Sequence, residues 1–300
     1  QSGTKTSQGT ITVAGDMTVQ SVATYAVAAT TTTVTGTSDI DGTTSISSGT
    51  YNADGLSDVD GTISITSTGK YDADAEFNAT NGNVTFTGAG RLECSNTVTS
   101  LGTLSTGAGT VEYDGGSQNV LADAYYNLEI DQSGTKTSQG TITVAGDMTV
   151  QSGATYAVAA TTTTVTGTSD LNGTLTASTG IFDANGTFDA TGGTIDFTGA
   201  GTLKLASTVT SLGTLDEAAG TVEYDGAGDQ NVLSDSYFNL EFDGDGTGVK
   251  TATGNVTANG TFTIQSNCQR YRTGSYTTTV TGATDVNSEL RINGASAIFD

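Results

Sequence analysis

The sequence predicts an all-β chain wound as a right-handed parallel β-solenoid of about 19–20 residues per turn, with essentially no α-helix. Three observations predict it. Residues 1–39 return at 132–170, 131 positions on, with a single change, Val22 to Gly153. The interval from Gln118 to Gln230 is only 112, and the missing 19 residues match the distance from Ser38-Asp39-Ile40-Asp41-Gly42 to Ser57-Asp58-Val59-Asp60-Gly61. A repeat that grows by one such block without disturbing its flanks is a stack of units each one coil long, in which every coil meets only its neighbours. Thirdly, short runs of period-two alternation recur between glycine, asparagine and aspartate turns.

Taken in order, Thr10–Val13, Met17–Val19, Tyr25–Val27, Thr32–Val34, Ser45–Ser47, Ile63–Ile65, Val84–Phe86 and Val111–Tyr113 each alternate apolar residues with threonine or another small or polar residue. One face is apolar and the other polar, as in a strand with one side on a core. Gly15, Gly36, Gly42, Gly49, Gly55, Gly61 and Gly69 mark corners, where positive φ is expected. Aligned columns predict stacking of Ile40, Val59 and Phe77, and of Tyr51 on Tyr71. The repeats, 1–131, 132–244 and a partial 245–300, read as one continuous body, and about 15 coils at ~4.8 Å make a rod on the order of 70 Å. No proline interrupts the ladder. The chain starts in mid-motif at Gln1 and reads as a processed product or a window of something longer.

Composition narrows the function classes. The net charge of −23, from 32 acids against 9 bases, argues against nucleic acid and against an anionic membrane surface. No run reaches the roughly 18 apolar residues of a membrane-spanning helix, so no membrane insertion is expected. Histidine is absent, which removes the usual general base. Cys94 and Cys268 make no disulfide framework and read as small core residues. Lys5, Lys136 and Lys250 recur once per repeat and read as surface lysines guarding a sheet edge.

The strongest local signal is acidic. Asp39 and Asp41 flank an inward Ile40, and Asp58 and Asp60 flank Val59 one coil on, so stacking gathers four outward carboxylates. Asn52, Asp54, Asp72 and Asp74 form a parallel set spaced by 20. Oxygen-only clusters suit Ca2+, the one ion the chain suggests and not one it requires. Ordinary screened surface acids are the competing reading.

Gly109-Thr110-Val111-Glu112-Tyr113-Asp114-Gly115, Gln118-Asn119-Val120 and Tyr125-Tyr126-Asn127-Leu128-Glu129-Ile130, with second copies such as Gln230-Asn231-Val232 and Tyr237-Phe238-Asn239-Leu240-Glu241-Phe242, carry a resemblance. The pattern resembles the β-strand repeats of large prokaryotic cell-surface and adhesin-like proteins, themselves similar to filamentous-haemagglutinin β-helices. The resemblance implies an extracellular, fibrous or adhesive role and brings no catalytic residues. The expected function is therefore a cell-surface structural protein that stacks end to end on copies of itself. The alternative is an adhesin stalk that binds glycans or other cells and is stiffened by calcium. A polysaccharide-active β-helix enzyme is a third, weaker reading, and no catalytic residue is assigned.

Overall fold

In the computed structural model, which describes residues 2–105, 107–294 and 296–300, the chain is all-β. The strand pairings are parallel, and within each series a strand pairs with the third one after it, so three strands make one turn of a β-solenoid. The 45 strands of the described residues amount to about 15 turns, divided between two compact units, residues 1–146 and 147–300.

In the first unit, three walls grow by stacking. One runs from Gly3–Thr6 through Ala23–Val27 and Thr43–Ile46 to Thr103–Ser105. The second runs from Ile11–Val13 through Thr50–Ala53 and Arg91–Cys94 to Asn127–Ile130. The third begins at Met17–Val19 and ends at Val98–Ser100. In the second unit the longest series runs from Thr162–Val165 to Ala283–Val286. Burial alternates residue by residue along most strands, with Val34, Ile40, Ile46, Val59, Ile63 and Leu92 fully enclosed. The narrow core is filled by one inward side chain per pleat from each wall, which is why a chain only 34% hydrophobic can fold.

The repeat arithmetic has a structural counterpart. Gly134–Ser138 comes twenty strands after Gly3–Thr6, and Val249–Ala252 seventeen strands after that; the difference of three strands is one turn. Ser38↔Ser57, Asp39↔Asp58 and Ile40↔Val59 lie in register, so the 19-residue block is one added coil. Turn length nevertheless varies, from 17 residues between Thr110 and Asn127 to 22 between Leu240 and Phe262.

Three expectations are corrected. Phe77 does not continue the Ile40–Val59 column; it stacks over Ser57, because the intervening turn is two residues longer than the spacing assumed. None of the seven corner glycines has positive φ. Close approach explains all but Gly15 instead: a Cβ on Gly61 would lie 2.0 Å from the Gly42 carbonyl oxygen, and one on Gly49 would lie 2.2 Å from that of Thr30. Corners of adjacent turns sit backbone on backbone. The third correction concerns the lysines, below.

Candidate functional site

The outward face of the second wall in the first unit carries a column of acids. Asn52, Asp72, Glu93, Glu112 and Glu129 are register partners on five successive turns, beside a column containing Lys70 and Arg91. Lys70 Nζ lies 2.9 Å from Asp72 and 2.6 Å from Glu93, while Arg91 Nη1 bonds Glu112 and lies 2.6 Å from Glu129. Burial pushes the Glu112 carboxyl up to about 7; Glu129 and Glu93 add to the shift and Arg91 opposes it. Among the described residues, Glu112, Glu129 and Asp131 are the set of three potential metal ligands whose ligand atoms lie within 4.8 Å of one another. The Arg91 guanidinium already supplies a cation there. Spacing within repeats could not reveal this trio, because Glu112 and Glu129 meet only through a 17-residue turn.

Both acid sets expected from the sequence are brought together as columns. Asp39 stacks on Asp58, with Asp41 and Asp60 exposed at the next corner. Desolvation raises the Asp58 carboxyl pKa, and Asp60, Asp39, Asp41 and Glu76 push it further in the same direction. Thr18 Oγ1 and Asn81 Nδ2 donate to Asp39 and Asp60 at 3.4 and 3.0 Å. Asn52 stacks on Asp72 and donates to Asp54 at 2.8 Å; Asp74 is raised by burial first and then by Asp72, Asp54 and Asp114.

The recurring lysines are the correction. Lys5, on the first strand, is exposed as expected, but Lys136 and Lys250 are completely buried. Each is the register partner of a buried glutamine on the previous turn, Gln118↔Lys136 and Gln230↔Lys250. Lys136 donates to the carbonyls of Asp131, Gln132 and Ser133, whereas Lys250 donates to Gly226 O and to Gln230 Oε1. Desolvation lowers the pKa of both amines. The glutamines are fixed alike: Gly115 N–H and Gly226 N–H each donate to the side-chain oxygen at 2.8 Å. The once-per-repeat recurrence of Gln-Asn-Val before a Lys strand was the available signal. The alternation rule hid it, since a lone charged residue defaults to solvent.

Next to each glutamine the wall is interrupted. Val98–Ser100 ends one series and Gln118–Val120 begins another; Val209–Ser211 and Gln230–Val232 repeat the arrangement. Each break opens a polar cavity, of about 450 Å3 beside Asn96, Thr97 and Asn119 and about 490 Å3 beside Ser207, Thr208 and Asn231. Comparison with known proteins is negative: no family model, curated protein or solved structure matches the chain. The geometry must carry any functional reading.

Proposed function

We propose that this chain is an extracellular structural protein, a segment of a cell-surface fibre or stalk assembled by end-to-end stacking of β-solenoid subunits. The observation that carries this reading is a comparison within the first unit. Among the described residues no preceding strand is laid over Lys5 and Ile11, and there Lys5 is exposed and Ile11 half-buried. The same sequence at Lys136 and Ile142 receives Gln118–Val120 and Ala124–Tyr125 as parallel partners, and there both residues are fully buried. A turn of this sequence therefore seats another turn before it by extending the backbone ladder and the core together. Electron microscopy of the concentrated protein, with sedimentation velocity across a dilution series, is the test. Filaments many subunits long are expected; monomers at every concentration defeat the reading.

A second reading, a binding module carried on such a stalk, is favoured by the two equivalent cavities. Their amide and hydroxyl linings suit a neutral saccharide. A glycan array probed with the intact chain tests it, and Asn119→Ala with Asn231→Ala should abolish any signal.

A further inference from the structure

We propose that Lys250 and Gln230 become joined by an amide bond that locks two successive turns of the second unit. The two residues are Cα partners on the adjacent strands Gln230–Val232 and Val249–Ala252. Lys250 is 0% and Gln230 7% exposed, so bulk water does not compete at the amine. Lys250 Nζ lies 2.5 Å from Gln230 Oε1. With a C=O bond of ~1.23 Å, the amine sits roughly 3–3.5 Å from the carboxamide carbon, on its oxygen side as a hydrogen-bond donor, so attack requires the lysine side chain to swing over the carbonyl face.

The surroundings are those an acyl transfer requires. Gly226 N–H donates to Gln230 Oε1 at 2.8 Å, aimed at the oxygen that becomes negative when the amine adds. A Cβ at Gly226 would lie 2.7 Å from Gln230 Cδ, so glycine is what lets the carboxamide rest on that N–H. Gln230 Nε2 is held by the carbonyls of Leu205 and Ser207 at 2.8 and 2.9 Å, which fixes the leaving group. Burial favours the uncharged, nucleophilic form of the Lys250 amine.

In the step, the Nζ–Cδ bond forms and the Cδ–Nε2 bond breaks. One Nζ proton passes to Nε2, which departs as ammonia. Atoms and charge balance with no oxidant or co-reactant. In the first unit the equivalent pair, Gln118 and Lys136, has the same register, but its amine is directed at the 131–133 turn, and no bond is expected there.

Intact-mass measurement of the folded full chain, followed by peptide mapping, tests the inference. The expected result is a loss of about 17 Da, one ammonia, with the Gln230 and Lys250 peptides recovered joined. Chain held unfolded in urea keeps its full mass, and Lys250→Arg keeps it when folded. A folded wild-type chain at full mass overturns the inference. So does an ammonia loss mapped elsewhere, such as to a cyclised terminal glutamine. Because the wild type is itself decisive, a variant that fails to fold leaves the test intact.

Discussion

Tyr71 lies flat on Tyr51, with ring centroids 5.0 Å apart and planes 14° apart, and each hydroxyl donates to the serine of its own turn. Tyr51 reaches Ser38 at 3.0 Å and Tyr71 reaches Ser57 at 2.9 Å, inside the core. Two buried polar groups thus satisfy each other on each of these two successive turns. Ser57→Ala leaves the Tyr71 hydroxyl without its partner and should cost about 1–3 kcal/mol. Adding Tyr71→Phe to Ser57→Ala should recover part of that loss, because no buried hydroxyl is then stranded. Urea denaturation of the single and double variants measures both.

Val22 and Gly153 are the one difference between the long copies, and both have positive φ, 63° and 87°. Valine is strained there because its branched Cβ crowds the backbone. Val22 is also 82% exposed and so gains little from packing. Val22→Gly should stabilise the chain by about 1 kcal/mol and Gly153→Val should destabilise it by a similar amount. Equal melting midpoints for all three proteins would remove this account.

A methyl group at Gly61 meets the Gly42 carbonyl oxygen at 2.0 Å, whereas one at Gly15 meets nothing within 4 Å. Gly61→Ala should therefore lower stability by about 1–3 kcal/mol. Gly15→Ala should be neutral or slightly stabilising, by up to about 1 kcal/mol, since its backbone needs no special φ. Paired thermal melts separate close approach from backbone flexibility as the reason for corner glycines.

Glu112 is raised to about 7 by burial, and Glu93, Glu223, Asp225 and Asp58 are raised as well. Below the ordinary carboxyl range both folded and unfolded chains hold these protons. As pH rises toward 7 the unfolded chain releases them first, so folding becomes less favourable and then levels off. The melting temperature should be higher at pH 5 than at pH 8, and Glu112→Gln should flatten the slope between them. A midpoint that climbs with pH over this range contradicts the burial of these acids.

A divalent ion seated among Asp39, Asp41, Asp58 and Asp60 would relieve the carboxylate repulsion that adds to the effect of burial on Asp58. CaCl2 should then raise the midpoint more than NaCl at matched ionic strength, and Asp58→Asn should erase the difference. Identical curves in the two salts leave general screening as the whole effect.

The chain itself determined the class of fold. Alternation in strands such as Thr50–Ala53, the returning 39-residue block and the 19-residue insertion specify stacked parallel turns, since a pleat with one apolar side can be satisfied only by burying that side. The stacked tyrosines and the Asp39–Asp58 column follow from the same spacing. Spacing could not place residues whose turns depart from the common length. Phe77 therefore settles over Ser57, and Glu112 and Glu129 meet beside Arg91. Nor could it turn Lys136 and Lys250 inward, because a buried amine is tolerable only where backbone carbonyls converge on it. For Lys136 those carbonyls belong to the corner that leads into its own strand, and for Lys250 the Gly226 carbonyl comes from the previous turn. Twenty strands also do not divide by three, so Gly134–Ser138 stacks on Gln118–Val120 and not on the series begun by its twin Gly3–Thr6. Local sequence fixes which side of a strand is buried; the count of strands around the coil decides which neighbours each motif meets.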